Sequence, residues 1–166
     1  GGRYDHGMSV GMTVLLFLAG MAYWTFLEYV LHRWAFHSDL RFVGVRHRKH
    51  HTSLQERRYA IAPVPSMVLG LVLHAAVLLG VFGVPLGAPL LAGLTIGYAT
   101  YEWVHHATHY RVARTRLGKW LRAYHLAHHH RTPDARYGVT SPVWDVVFRT
   151  YAPAPIRKER ETPRTP

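Results

Sequence analysis

Two long stretches of this 166-residue chain carry no charged side chain, and they limit the fold more than any other feature. One runs from Gly7 to Leu27 and the other from Ala60 to Tyr101. The first apolar run, Val10 to Leu31, spans roughly 33 Å as a helix at about 1.5 Å per residue, enough to cross a hydrocarbon core. Glu28 falls near its end, where an ionisable group costs less than at the centre. The run does not read as a signal peptide: it lacks a basic leader and a small-residue cleavage site, and histidines follow it directly. The second run is too long for one crossing and right for two. Its only strong breaker cluster is Gly83-Val84-Pro85-Leu86-Gly87-Ala88-Pro89. That predicts a hairpin, with one helix over Val64 to Phe82, a tight turn, and another from Pro89 to Tyr110.

Charge gives the orientation. The net charge is +11, from 20 Lys and Arg against 9 Asp and Glu. Nearly all the cations lie in Arg33 to Arg58 and Arg111 to Arg164, with Arg3 alone on the other side of the first run. Three crossings put both basic segments on one face, which the positive-inside rule makes cytoplasmic. Basic charge also suggests nucleic acid, but the apolar runs and the lack of a base-reading motif exclude that partner. There is no cysteine, which removes disulfides, thiolate metal sites and cysteine nucleophiles together. The last stretch, 152–166, is Pro-rich and charged and is expected to be disordered.

Fourteen histidines remain to be explained. Ten fall into four clusters: His32 with His37; His47 with His50 and His51; His105 with His109; His125 with His128 and His129. The topology drawn from charge places all four at the cytoplasmic side, although histidine played no part in drawing it. Positions three and four apart share a helix face, which suits both triplets and the 105/109 pair. His32 and His37 are five apart, so the helix is expected to end, bulge or kink between them. Ten imidazoles are too many for one tetrahedral zinc and suit two metals. Imidazole is a good ligand for iron, zinc, copper and nickel. His6, His74, His106 and His130 read as ordinary surface or core residues.

The motifs Glu28-Tyr29-Val30-Leu31-His32 through His37, His47-Arg48-Lys49-His50-His51, Tyr101-Glu102-Trp103-Val104-His105 through Tyr110, and Tyr124-His125 through His129 resemble the boxes of the fatty acid hydroxylase/sterol desaturase superfamily. Gly138 through Tyr151 resembles its closing segment. The likeness runs from about Glu28 to Tyr151 and is greatest to the fatty acid 2-hydroxylase branch. It implies an all-α integral membrane helical bundle of about three to four transmembrane helices, with a cytosolic helical cap holding a dinuclear metal site. It implies one domain over 1–151; the sequence departs from the family in showing no cytochrome b5-like domain, which some relatives carry, and a single crossing before the first box, so that a helix is expected to be absent or upstream. It also implies metal binding by His32, His37, His47, His50, His51, His105, His109, His125, His128 and His129.

The chemistry expected is O2-dependent hydroxylation of a lipid, with a fatty acyl chain as first choice. It needs two Fe ions (zinc can replace them on purification) and electrons from a ferredoxin or cytochrome b5 type donor with its reductase. The substrate is expected to enter from the bilayer. Glu28, Glu102 and Asp145 are expected to orient ligand rings by accepting an imidazole N–H. Tyr110, Tyr124, Tyr137 and Tyr151 are candidates to line or cover the site. The rival readings are a carotenoid ring hydroxylase, a sterol oxidase or desaturase of the same superfamily, and a noncatalytic membrane metal-binding protein or transporter. A transporter calls for ligands near mid-bilayer, where only His74 lies.

Overall fold

The structure, a computed structural model, describes residues 8–155 and is helical throughout, with no strand among those residues. His6 and residues 156–166 of the expected tail lie outside the described residues. Helix α1 spans Val10–Val30 and continues as a π-helical turn over Leu31–Phe36. Ser9 starts α1 by accepting a hydrogen bond from the Met12 amide at 3.2 Å. Helix α2 spans Val43–Thr52, α3 Val64–Tyr110, α4 Arg116–His130 and α5 Val143–Val147.

Two helical stretches, Val10–Phe36 and Arg57–Tyr110, are long and apolar enough to cross a membrane. In each, only 6% of the most apolar window is buried inside the protein. A soluble protein would bury such helices. Here Leu15, Leu18, Val68, Leu69, Val77 and Val81 all face outward, the arrangement that a lipid surround requires.

The break inside α3 is sharper than the sequence suggests. The chain leaves helical geometry only at Gly83, with φ 69° and ψ 167°, a conformation that glycine adopts without strain. The second limb begins at once, so the predicted start at Pro89 is corrected to residue 84. Pro85 sits in the first turn of this limb, where the missing N–H costs little, whereas Pro89 lies one turn further in and removes the i→i−4 bond to the Pro85 carbonyl. Gly87 then packs so closely on the first limb that a Cβ there would lie 2.4 Å from the Leu78 carbonyl oxygen. The second limb also packs tightly on α1. A Cβ at Gly20 would meet the Leu90 carbonyl oxygen at 2.1 Å, and one at Gly93 would meet that of Phe17 at 1.9 Å. Small residues allow this backbone approach, where dispersion rather than water exclusion drives association.

At the end of α1 and the second limb, the helix ends and α2, α4 and α5 form a compact head. Its fully buried side chains are Tyr29, Tyr124, Val139, Asp145, His50, His125 and His128. The head is organised around imidazole as much as around hydrocarbon.

Candidate metal centre

The ten predicted histidines form two groups of five. His32, His37, His47, His51 and His128 make the first; His50, His105, His109, His125 and His129 make the second. In each group one nitrogen per ring lies within 4.8 Å of all the others. The π-helical turn explains the five-residue spacing: its wider turn puts His32 and His37 on one face. Both of their Nε2 atoms stand 3.2 Å from that of His47.

The two triplets divide by the same rule. His47 and His51, four apart, serve the first group, while His50 crosses to the second. His125 and His129, again four apart, serve the second, while His128 crosses to the first. On a helix a four-residue step turns about +40° and a three-residue step about −60°, so one stripe feeds two neighbouring points. The groups touch: the rings of His51 and His129 stack with centroids 4.0 Å apart.

The donor geometry fits metal ions. The Nε2 of His47 lies 2.9 Å from that of His51 as well as 3.2 Å from those of His32 and His37. The Nε2 of His125 lies 2.8 Å from that of His109 and 3.1 Å from that of His129. A single proton cannot bridge one nitrogen to three others. A cation with metal–nitrogen bonds of about 2.1 Å puts adjacent ligands at about 3 Å, the spacing seen. The tautomers agree. His32, His128 and His105 donate from Nδ1 to the carbonyls of Tyr137, Ala135 and Ala60, at 2.5, 2.7 and 2.9 Å. That leaves each Nε2 lone pair pointing inward.

Electrostatics keeps the rings neutral. Burial, and then repulsion from neighbouring imidazoles, lowers the pKa values of His47, His50, His125 and His129 far below the ordinary histidine range. Burial brings His51 down to about 4 and His128 to about 3. Burial also lowers His37. Neutral imidazole is the form that binds metal.

The three acids act at one remove from the rings. Among the described residues, none of them accepts from an imidazole, contrary to the contact expected. Glu28, 3% exposed, accepts from the amides of Val139 and Thr140 and from the Thr140 hydroxyl. Asp145, fully buried, accepts from the amides of Tyr137 and Gly138 at 2.8 Å and from the Thr150 hydroxyl at 2.7 Å. Together they fix the strand of chain whose Tyr137 carbonyl holds His32. Glu102 accepts from the Tyr98 hydroxyl at 2.6 Å and the Ala62 amide at 3.3 Å, near the Ala60 carbonyl that holds His105. A carbonyl has no side-chain signature, so the sequence offered no sign of these three.

Of the four candidate tyrosines, Tyr137 lies against His32, His37 and His128 with centroids 5.5–5.6 Å apart. Tyr124 and Tyr151 stack on each other away from the rings, and Tyr110 donates to the Leu54 carbonyl. Tyr101, not predicted, stacks on His105 at 5.6 Å with an interplanar angle of 9°. His74 is tied to the Gly70 carbonyl at 2.7 Å and belongs to neither group.

The family model described as "Fatty acid hydroxylase" matches residues 17–150, which covers both groups and the segments that brace them. The chain belongs to the fatty acid hydroxylase family. A dihydroceramide fatty acyl 2-hydroxylase of Arabidopsis thaliana is 33% identical over 151 residues, covering 87% of this chain and 63% of that protein. A fatty acid 2-hydroxylase of Mus musculus is 29% identical, covering 91% of this chain and 43% of its own length. A solved structure of full-length scs7p, with only the hydroxylase domain visible, superposes with TM-score 0.76 at 28% identity. That match covers 90% of this chain and 60% of the other. The chain thus spans under two thirds of the length of each of these relatives.

Proposed function

We propose that this chain is a membrane hydroxylase domain that places a hydroxyl on a fatty acyl chain of sphingolipid type, using O2 and electrons from an external donor. One observation carries the reading. Ten histidines from four separate segments sort into two groups of five converging nitrogens, in a chain whose relatives are named as acyl hydroxylases. In this reading α1 and the two limbs of α3 each cross the bilayer, and the head lies on the cytoplasmic face with the basic segments. His32, His37, His47, His51 and His128 hold one iron, and His50, His105, His109, His125 and His129 hold the other. Zinc competes for such sites during purification.

Bound iron supplies the redox chemistry with O2 that an unactivated C–H bond demands and no side chain offers. The protein supplies placement. Ten neutral ligands leave the ions' charge uncompensated by the first shell. The Tyr137, Ala135 and Ala60 carbonyls hold three rings in register by taking their Nδ1 protons. Glu28 and Asp145 keep the first two of those carbonyls in place through the 135–140 segment. Tyr137 and Val139, both buried, close the head against water on that side. The acyl chain reaches the centre laterally from the bilayer, because four of the rings, those of His32, His37, His105 and His109, sit at the ends of the crossing helices. Electrons come from an acidic carrier of ferredoxin or cytochrome b5 type with its reductase.

The test begins with metal content of the detergent-purified chain beside the double variant His50→Ala/His128→Ala. About two metals per chain are expected, lost in the variant while helical circular dichroism persists. Cells expressing the chain should then accumulate 2-hydroxy acyl lipids. One metal or none in fresh protein, unchanged by the substitutions, would sink the dinuclear reading. Ring hydroxylation of β-carotene with acyl chains untouched would move the substrate to the carotenoid alternative.

A further inference from the structure

On the side of α3 away from the histidines, a groove of about 290 Å³ runs between the end of that helix, residues 111–115 and the start of α4. At about 100° per residue, His105 and His109 share one face, and Trp103, Ala107 and Arg111 lie roughly opposite. All three of the latter line the groove. An occupant therefore lies behind the ligand helix, out of reach of the converging nitrogens, and is not the lipid being hydroxylated.

The lining is divided by chemistry. Trp103, Val104, Ala107 and Leu121 give the groove its apolar lining, and Arg111 and Arg114, both exposed, stand at its rim. Trp103 is 62% exposed, on the outer face of a membrane-length helix. No Asp or Glu occurs between Trp103 and Arg122, and neither rim arginine is in an ion pair among the described residues. Arg122 differs: its guanidinium donates to the Thr108 carbonyl at 2.5 Å and the Arg111 carbonyl at 3.0 Å, capping α3. The groove thus offers an apolar slot, two uncommitted guanidiniums, and a position where the spanning stretch ends at Tyr110. Guanidinium suits phosphate oxygens in a planar, two-pronged contact.

We propose that this groove binds an anionic phospholipid, with its phosphate on Arg111 and Arg114 and the upper part of one acyl chain along Trp103 and Ala107. The fit is one of charge and of shape. A zwitterionic headgroup brings its own cation toward two arginines, whereas an anionic one does not. Bound there, the lipid wedges the α3–α4 junction and so supports the helix that carries His105 and His109. The proposal rests on the reading that these helices span a bilayer, and not on the identity of the metals.

The full chain is placed in nanodiscs of phosphatidylcholine with a rising fraction of phosphatidylglycerol, with bromine on the acyl chains of one lipid at a time. Trp103 quenching is read as the difference between the chain and Trp103→Phe. Brominated phosphatidylglycerol should quench at a mole fraction roughly fivefold lower than brominated phosphatidylcholine. R111Q/R114Q should erase that preference, R111K/R114K should keep most of it, and R41Q, a cation on another loop, should leave it intact. Equal quenching by the two lipids, or a preference that survives R111Q/R114Q, would overturn the proposal. Release by excess glycerol 3-phosphate would also overturn it, since the ligand would then be a free phosphate ester. Failure of the chain to enter nanodiscs would instead remove the spanning reading, and this site with it.

Discussion

The two histidine groups present the same donors and are braced in different ways. In the first group, His32 and His128 both donate to the 135–140 segment, at Tyr137 and Ala135. That segment is held by two buried acids, and beyond Asp145 the bonding continues. Thr150 bonds to the Tyr29 hydroxyl at 3.0 Å, and Arg33 donates to the same hydroxyl at 2.8 Å. In the second group only His105 has such a tie, to Ala60. The Nδ1 atoms of His50, His125 and His129 are buried and have no partner among the described residues. A braced ring is pre-organised for its metal, whereas an unbraced one settles its tautomer and tilt when metal arrives. Two rings of the first group are tied in this way and one of the second, so the first is the more firmly braced seat and the second the more adaptable one. In the dinuclear reading proposed above, a metal in the second group should therefore exchange more readily.

The largest effects come from removing one ligand of either group. His128→Ala and His50→Ala should each leave about one metal per chain and no hydroxylation. With His50→Ala the remaining metal should resist a chelator, and with His128→Ala it should leave readily. Metal analysis after timed dialysis reads both, and equal retention would erase the distinction drawn above. Asp145→Asn comes next. It removes the charge that receives the Tyr137 and Gly138 amides and puts an N–H donor where acceptors are needed. A loss of about 3 kcal/mol in the stability of the head is expected. Metal should be lost from the first group before the second, measurable as metal stoichiometry against denaturant.

Much of this site was legible because it is written in side chains. The ten histidines, the helical sharing of 47/50/51 and 125/128/129, and a distortion between His32 and His37 all follow from spacing. The same angles divide each triplet between the two nitrogen groups. What stayed hidden is backbone. The carbonyls of Ala60, Ala135 and Tyr137 carry no residue signature, so the acids nearest the boxes were expected to touch the rings themselves. Glu28 and Asp145 instead hold amides, as buried carboxylates near a loop readily do, because several N–H groups can satisfy both oxygens. The hairpin is where the breaker cluster puts it, but its turn is shorter than that cluster implies. Gly83 alone reverses the chain, Pro85 fits the first turn of the second limb, and Pro89 is carried inside that helix.

Acid provides a test that acts on both groups together. His51 at about 4 and His128 at about 3 sit below the free-histidine value of 6.5. Between about pH 6.5 and pH 4 the unfolded chain therefore binds protons that the folded head refuses. Stability falls as pH falls through that window and is flat above pH 7. Bound metal deepens the dependence, since protons compete for the same nitrogens. Thermal unfolding of the metal-free chain from pH 8 to pH 4.5 should show a progressive drop beginning near 6.5, and a flat profile would mean that the rings are solvated rather than buried.

The smallest expected effect bears most directly on the comparison. Glu102→Gln keeps an acceptor for Tyr98 and Ala62 and loses only the charge, so about 1 kcal/mol is expected. Its influence reaches a metal through one path, from Ala62 to the Ala60 carbonyl and on to His105. If the second group is the adaptable one, this variant should speed exchange of its metal while leaving that of the first group unchanged. If it instead disturbs both metals, the rings communicate through the His51–His129 stack, and the centre has to be treated as a single cage of ten nitrogen donors rather than two seats of unequal stiffness.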